Sequence, residues 1–387
     1  MGGCSQQEQD SVSLWGGSIT QEDGIRVINN PDLPIYGEIE LKLEEDLIIG
    51  DENDDNTLFY DASQLALDAD ANIYVLDAGN HRIQKFDSSG NFLMSIGHEG
   101  QGPGELDRVS GLRLDHVNHI YTLENMRIQQ FAPSGEFLRT IPLTARLTDF
   151  SLTAEKSFFG IEIQDTDKGR ERFLHFFDPD GKQQKTVAHY DDIKLVQRNM
   201  DGARMSFAIR HTYNPVLILT PFLRGRLIYT FTADYSLFVI HEDSRPDIII
   251  RKEEAKRAIT QAEKDRTVES VREAISRMNQ NWPDDLIEAA LQFPVHSPFF
   301  THIVTDDLGR IYTRRIHSQL GETEQEELDI FSPEGYYLYR ALLSRRPQLI
   351  RNGFLYRIGE DEETGMINVL RFRITNWNEL KKEHQEH

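Results

Sequence analysis

The chain has 387 residues, with 64 acidic against 42 basic side chains and a formal net charge of −22, so its average surface field repels nucleic acid. The single cysteine, Cys4, excludes an intramolecular disulfide and a cysteine-based zinc site. No run approaches the roughly 18 consecutive apolar residues that a membrane-crossing helix needs.

Met1-Gly-Gly-Cys-Ser-Gln-Gln-Glu-Gln-Asp10 looks like the end of a bacterial lipobox, in which small residues precede an acylated cysteine and a polar tether follows. On this basis Cys4 is a lipidation site, residues 1–20 are a flexible tether, and the protein resides in the bacterial cell envelope. The other readings are a cytoplasmic protein with an incidental cysteine, and myristoylation at Gly2, which wants Ser or Thr at position 6 and finds Gln6. An alternating strand is predicted over Ile35–Leu43. Asp51-Glu-Asn-Asp-Asp-Asn56 imitates the start of a calcium loop, but Asn56 replaces the glycine and Ala62 the closing glutamate, so it reads as a solvated acidic loop.

Ser63-Gln-Leu-Ala-Leu-Asp-Ala-Asp-Ala-Asn-Ile-Tyr74 is echoed 47 residues later by Ser110-Gly-Leu-Arg-Leu-Asp-His-Val-Asn-His-Ile-Tyr121. Each copy continues through a strand ending in Phe86 or Phe131, a Gly90 or Gly135 turn, and a last strand ending in Ile96 or Ile141. Weaker copies run from Leu152 to Val187, Leu217 to Ile240, His302 to Leu342 and Gln348 to Ile374. Four short strands in each of six units cannot cover their apolar faces alone, and radial stacking gives each a neighbour on both sides. The expected fold is therefore all-β, a six-bladed β-propeller with four-stranded antiparallel blades over residues 21–378, in which Ile35–Leu43 completes the last blade.

Two stretches interrupt the repeat. Residues 251–293 carry Val268, Val271, Ile275, Met278 and Trp282 at helical spacing, with a Glu253–Arg257 pair four residues apart and Pro283 opening a second helix. They form a predicted helical insertion between blades 4 and 5. Residues 188–214 hold Arg198, Arg204, Arg210 and His211 in a locally basic stretch, and residues 379–387 are a polar tail.

Asn72-Ile-Tyr-Val-Leu-Asp77, Gly79-Asn-His-Arg-Ile83, Phe86-Asp-Ser-Ser-Gly90 and Ile96-Gly-His-Glu-Gly-Gln-Gly-Pro-Gly-Glu105 resemble the NHL-repeat type of six-bladed propeller, and more closely the bacterial six-bladed propeller lipoproteins of unassigned function. The resemblance is specific over about residues 60–141. It implies a fold and a habit of binding, and the acidic composition argues against the RNA binding of some NHL propellers. Propeller ligands usually sit where each innermost strand begins. By that alignment the rim candidates are Asp61, Ser63, Asp107, Arg108, Asp149, Asn214, His296, Arg345 and Arg346. Asp61, Asp149 and Asn214 are candidate oxygen ligands for Ca²⁺, the one cofactor considered, as propeller lactonases hold it. His81 and His98 lack the spacing of a zinc pair, and His81 is expected to serve an inter-blade turn. No nucleophile elbow, P-loop or zinc-protease helix occurs. The expected function is a non-catalytic binding propeller offering a rim to a protein, peptide or glycan, touching membrane only through a lipid anchor; the alternative is a Ca²⁺-dependent hydrolase.

Overall fold

The computed structural model describes residues 15–166, 169–200, 203–242, 244–278, 282–316 and 325–381. Six antiparallel sheets close into a ring. Their innermost strands, Ala62–Leu67, Gly111–Leu114, Leu147–Leu152, Leu217–Pro221, Phe300–Thr305 and Leu349–Arg351, line a central channel. Middle strands such as Ile73–Asp77 and Ile120–Glu124 are buried along their whole length, because each blade is covered by both neighbours.

The repeated phrase has a local cause. After the innermost strand, one carboxylate oxygen of Asp68 accepts the N–H groups of Asp70 and Asn72 (3.0 and 2.9 Å), and Asp115 and Asp306 do the same for residues two and four positions on. The other oxygen accepts the phenol of Tyr74, Tyr121 or Tyr312 (3.3, 3.3 and 2.8 Å). Turn and second strand are thus clipped together by a buried polar pair. The later turn of each unit uses Asp87, Asp178 or Ser332 in the same way, followed by Gly90, Gly181 and Gly335 at φ of +87°, +83° and +99°. Only glycine adopts that conformation without strain.

The N-terminal segment wraps the outside of three blades. β1 (Ser18–Glu22) pairs with β2 (Ile25–Asn30), so chain expected to belong to a tether is strand from Ser18 onward. β2 runs parallel to Pro246–Lys252, the outer strand of blade 4, and β3 (Glu38–Glu40) runs parallel to Tyr337–Leu343 of blade 5. β4 (Leu43–Ile49) then pairs antiparallel with Ile367–Ile374 and completes blade 6. An early strand does close the ring, but it is Leu43–Ile49 rather than Ile35–Leu43. Residues 35–41 are held by blade 5 backbone, through Tyr337, Leu338 and Leu342, and the chain crosses to blade 6 at Lys42, whose backbone is bonded by Asn376 and Thr375.

Asn30 fastens this strap. Its side chain, 2% exposed, donates to the carbonyls of Arg251 (3.0 Å) and Gly335 (2.8 Å) and accepts from Tyr337 N–H (2.8 Å) and the Trp15 indole (3.1 Å). Beneath it Asp329, with no exposed side-chain surface, accepts from Tyr235 and Tyr337 hydroxyls (both 2.5 Å) and from Lys252 (3.0 Å). Burial works against that carboxylate, yet Lys252, Arg315 and the two phenols hold its pKa below the ordinary value.

The insertions differ in detail from expectation. The helices are α1 (Gln261–Arg277), with a Thr260/Glu263 capping box, and α2 (Asp284–Leu291). Arg257 precedes α1 and pairs with Glu263 (2.9 Å) instead of Glu253, and Met278 is 70% exposed beyond the helix end. No described helix is long and apolar enough to cross a membrane. The expected polar tail instead begins within α3 (Trp377–Lys381), whose Leu380 packs into the blade 5 and 6 core.

Asn30→Ala removes four hydrogen bonds at the strap and leaves buried backbone groups unpaired. A loss of about 2–4 kcal/mol in urea-unfolding free energy is expected, whereas a loss below about 0.5 kcal/mol would show that the strap is not stabilised there.

Candidate functional site

Strand alternation puts every connection from an outer strand to the next innermost strand on one face of the ring, called here the mouth face. The hairpin Val196–Met200/Ala203–Phe207 and the helices α1 and α2 lie in two such connections, between blades 3 and 4 and between blades 4 and 5. They pack against each other. Phe207 contacts Leu286 and Ala290, its ring lies 5.0 Å from that of Trp282, and Ile209 N–H donates to the Ala290 carbonyl (3.0 Å). Arg198 bonds Asp285 (2.5 Å), and a His211 ring nitrogen lies 2.6 Å from the Leu291 carbonyl. Arg210 pairs with Asp192 and Arg204 bonds the neutral Gln197, so two of the three arginines of the basic stretch, Arg198 and Arg210, meet a carboxylate.

The channel holds a cavity of about 660 Å³. Leucines 65, 67, 112, 114, 217, 219 and 349 make its walls, and its polar groups include Gln64, Arg113, Thr148, Asp149, His302, Arg346, Gln348 and Arg351. Apolar walls with a few placed polar groups are the usual form of a small-ligand site. On one side Arg113 bonds Asp149 (2.6 Å) and Gln64 (3.0 Å). Burial raises the Asp149 pKa even though the Arg113 guanidinium pulls it down. On the other side, burial first and then repulsion from Arg346 and Arg314 push His302 down to about 4. Burial and the nearby Arg314 also lower the Arg346 pKa. The two walls therefore differ: an Arg113–Asp149 ion pair at blades 2 and 3, and at blades 5 and 6 Arg346, which has no carboxylate bonded to it among the described residues.

The predicted rim residues separate. Asp149 and Arg346 line the cavity with Ser63, whereas Asp61, Asp107, Arg108, Asn214, His296 and Arg345 are not among its lining. Asn214 is buried in the insertion joint, donating to the Gln292 carbonyl (3.3 Å) and accepting from His211 N–H (2.9 Å). Asp107 bonds Gln101 (3.2 Å), Arg108 is exposed at φ +52°, and the His296 backbone bridges to Ala258. Asp61, Asp149 and Asn214 do not form one calcium-ligand set: Asp149 faces a cation and Asn214 is engaged elsewhere. Among the described residues no three His, Cys, Asp or Glu side chains gather around a metal-sized space. His81 lies 3.1 Å from the Leu106 carbonyl in the connection between blades 1 and 2, and His98 faces Glu105 (3.7 Å). Cys4 lies outside the described residues.

Gln64, Arg113, His302, Gln348 and Arg351 were not foreseen. A signal existed: counting back four residues from the first turn of a blade, at Asp68, Thr153, Asp306 or Asn352, gives Gln64, Asp149, His302 and Gln348, all in the lining.

Residues 51–245 match the family DUF5128, described as a 6-bladed beta-propeller. The chain belongs to this family. No curated protein sequence matches it. Among solved structures it is similar to a Bacteroides fragilis NCTC 9343 protein provisionally described as exported, with 11% identity and a TM-score of 0.52 over 90% of this chain and 99% of that one. A DUF4221 member from Bacteroides vulgatus ATCC 8482 gives 12% identity and a TM-score of 0.46 over 86% and 98% of the two chains. Virginiamycin B lyase from Staphylococcus aureus gives 10% and 0.38 over 80% of each. At these identities the likeness concerns the fold of this family's propeller and not its chemistry.

His302 gives the site a pH signature. Its folded pKa of about 4 lies below the ordinary 6.5, so between those values the unfolded chain binds more protons. Stability contributed by this residue is full above about pH 6.5 and falls as pH drops toward 4, by about 1–2 kcal/mol after allowance for partial solvation. Thermal midpoints at pH 7 and 5 should differ less in His302→Gln than in the wild type, and equal differences would contradict a neutral His302.

Proposed function

We propose that the protein is a binding propeller that takes its ligand or partner on the mouth face, held in the bacterial cell envelope through a lipid on Cys4. The observation that carries the binding half is the joint between the two insertions. Two segments 80 residues apart in the chain, each an interruption of the repeat, meet through Phe207, Trp282, Leu286 and Ala290 and raise one wall on the face where the channel opens. A decoration that merely covered one blade would need no partner from another. The wall stands on the face of the ring from which Ser63 and Arg346 line the cavity of about 660 Å³, and the proposed site combines the two. Such a site suits a peptide end or a glycan segment better than a flat protein surface.

A calcium-dependent hydrolase receives no support of its own, because Asp149, the one carboxylate in the described cavity lining, is bound to Arg113. The envelope half rests on the small residues before Cys4 and on Cys4 being the only cysteine.

Phe207→Asp places a charge in the insertion joint and should separate the wall while the six blades keep their thermal unfolding transition. On an array of glycans and peptides, ligands bound by the wild type should weaken by about fivefold or more in this variant; unchanged binding would show that the wall takes no part. Expressed behind a lipoprotein leader, the protein should fractionate with membranes and Cys4→Ser should not; equal partitioning would refute the anchor.

A further inference from the structure

Where blades 5 and 6 meet at the mouth, cations accumulate in a chain whose overall charge is −22. Arg346 and His302 line the cavity there; Arg346 feels the like charges of Arg314 and Arg357 and the opposite charge of Glu326, and Arg357 feels Arg345 and Glu326. The one carboxylate in this neighbourhood among the described residues is Glu326, and it is already engaged as a fork on Arg314 (2.5 and 2.9 Å). Arg346 makes no hydrogen bond or ion pair among the described residues. Arg345 and Arg357 each donate only to a backbone carbonyl, Ser344 (3.3 Å) and Ile358 (3.5 Å).

Exposed arginines such as Arg108 and Arg224 likewise have no carboxylate partner among the described residues, whereas several of the more buried ones are paired. Arg82, Arg113, Arg127, Arg310, Arg315 and Arg371 each sit on a carboxylate at 2.5–3.1 Å. What sets this corner apart is the cavity: its lining holds Arg113, Arg346, Arg351 and His302 against one carboxylate, Asp149, which Arg113 already occupies, so among the described residues the lining keeps guanidinium charge that an outside anion can meet. An anion entering the cavity relieves the repulsion between Arg346 and its neighbours Arg314 and Arg357, and Arg346 has its donors unpaired among the described residues to receive it. Guanidinium forks match carboxylate and phosphate oxygens in pairs, and a neutral imidazole adds one N–H without adding charge.

We infer that the blade 5–6 corner of the mouth binds a small oxyanion, carried as carboxylate or phosphate groups on the ligand, with Arg346 at its centre and Arg345 and Arg357 beside it. The inference rests on the binding function proposed above and narrows its ligand class. The neutral Arg113–Asp149 pair on the opposite wall orients such a ligand, because its anionic end is drawn to one side only.

Calorimetric titration of the whole protein with citrate, with inorganic pyrophosphate and with glucose tests this at low and at physiological salt. Citrate or pyrophosphate should bind one to one, more weakly as salt rises, and glucose should not. Arg346→Met should weaken binding by about tenfold or more. Arg108→Met, which removes an exposed arginine from the same face but outside the cavity lining, should change it by less than about twofold. Citrate binding alone assigns carboxylate, and pyrophosphate binding alone assigns phosphate. Failure of both to bind overturns the inference, as does equal weakening by the two substitutions, which is the pattern of diffuse attraction. Arg346→Met should also raise the thermal midpoint at low salt, since it removes repulsion, and a lowered midpoint would contradict a self-repelling cluster. An array ligand that binds the mouth face equally well in Arg346→Met would remove the oxyanion site and leave the binding function standing. Oxyanion binding with no array ligand sensitive to Phe207→Asp would do the reverse.

Discussion

A ring of six blades has to close, and every other feature of this molecule depends on that closure. Each blade presents apolar side chains on both faces, so the last blade is stable only when it meets the first, and the first is exposed until it does. Closure here comes from β4, which joins a strand more than 300 residues away in the chain. The loop-closure entropy is large but grows slowly with length, and burial along the blade 6 and blade 1 faces, with Ile49, Phe59, Val75, Tyr356 and Val369 in one cluster, offsets it. The channel and its mouth exist because this contact forms.

The two walls of the channel show how identical backbone positions acquire different chemistry. A propeller repeats its geometry but not its side chains, so a ring position is a set of six independent choices. At the level of Gln64 the choices include Asp149, His302 and Gln348, and the difference in charge around the ring comes from their neighbours. Arg113 is bonded to Asp149, whereas the carboxylate near Arg346, Glu326, is bonded to Arg314 instead. Burial acts in the same direction on both walls, favouring the neutral form, and sets the direction of each shift; Arg113 opposes it at Asp149, whereas Arg346 and Arg314 reinforce it at His302.

The fold was legible because its determinants are local. The Asp115 turn, the Tyr121 clip and the Gly135 turn lie within 21 residues of one another, and the same Asp-to-Tyr step recurs from Asp68 to Tyr74, with the glycine turn at Gly90. The closing strand was misplaced because alternation over Ile35–Leu43 describes any half-buried strand. It does not say whether the partner is blade 5 or blade 6, nor whether the pairing is parallel. The helices were visible from their period, yet the Glu253–Arg257 pair failed because Glu263, the capping residue of α1, captures Arg257. Site residues were partly visible: Asp149 and Arg346 were placed near the channel, while Arg113 and His302 were overlooked because attention fell on residues preceding the strands. A tertiary property, the lack of a carboxylate bonded to Arg346 among the described residues, has no trace in local sequence at all.

The strap that closes the ring also sets the order in which the molecule would yield to force. Tension applied ahead of Ser18 reaches the β1–β2 hairpin first, then the parallel attachments on blades 4 and 5, and only then β4. The joint that keeps the propeller closed is therefore the last to carry load. A cable clamped to its housing before it reaches the plug is protected in the same manner, and a protein hung from its N-terminal end would keep its channel shape while its outer strands took up the strain.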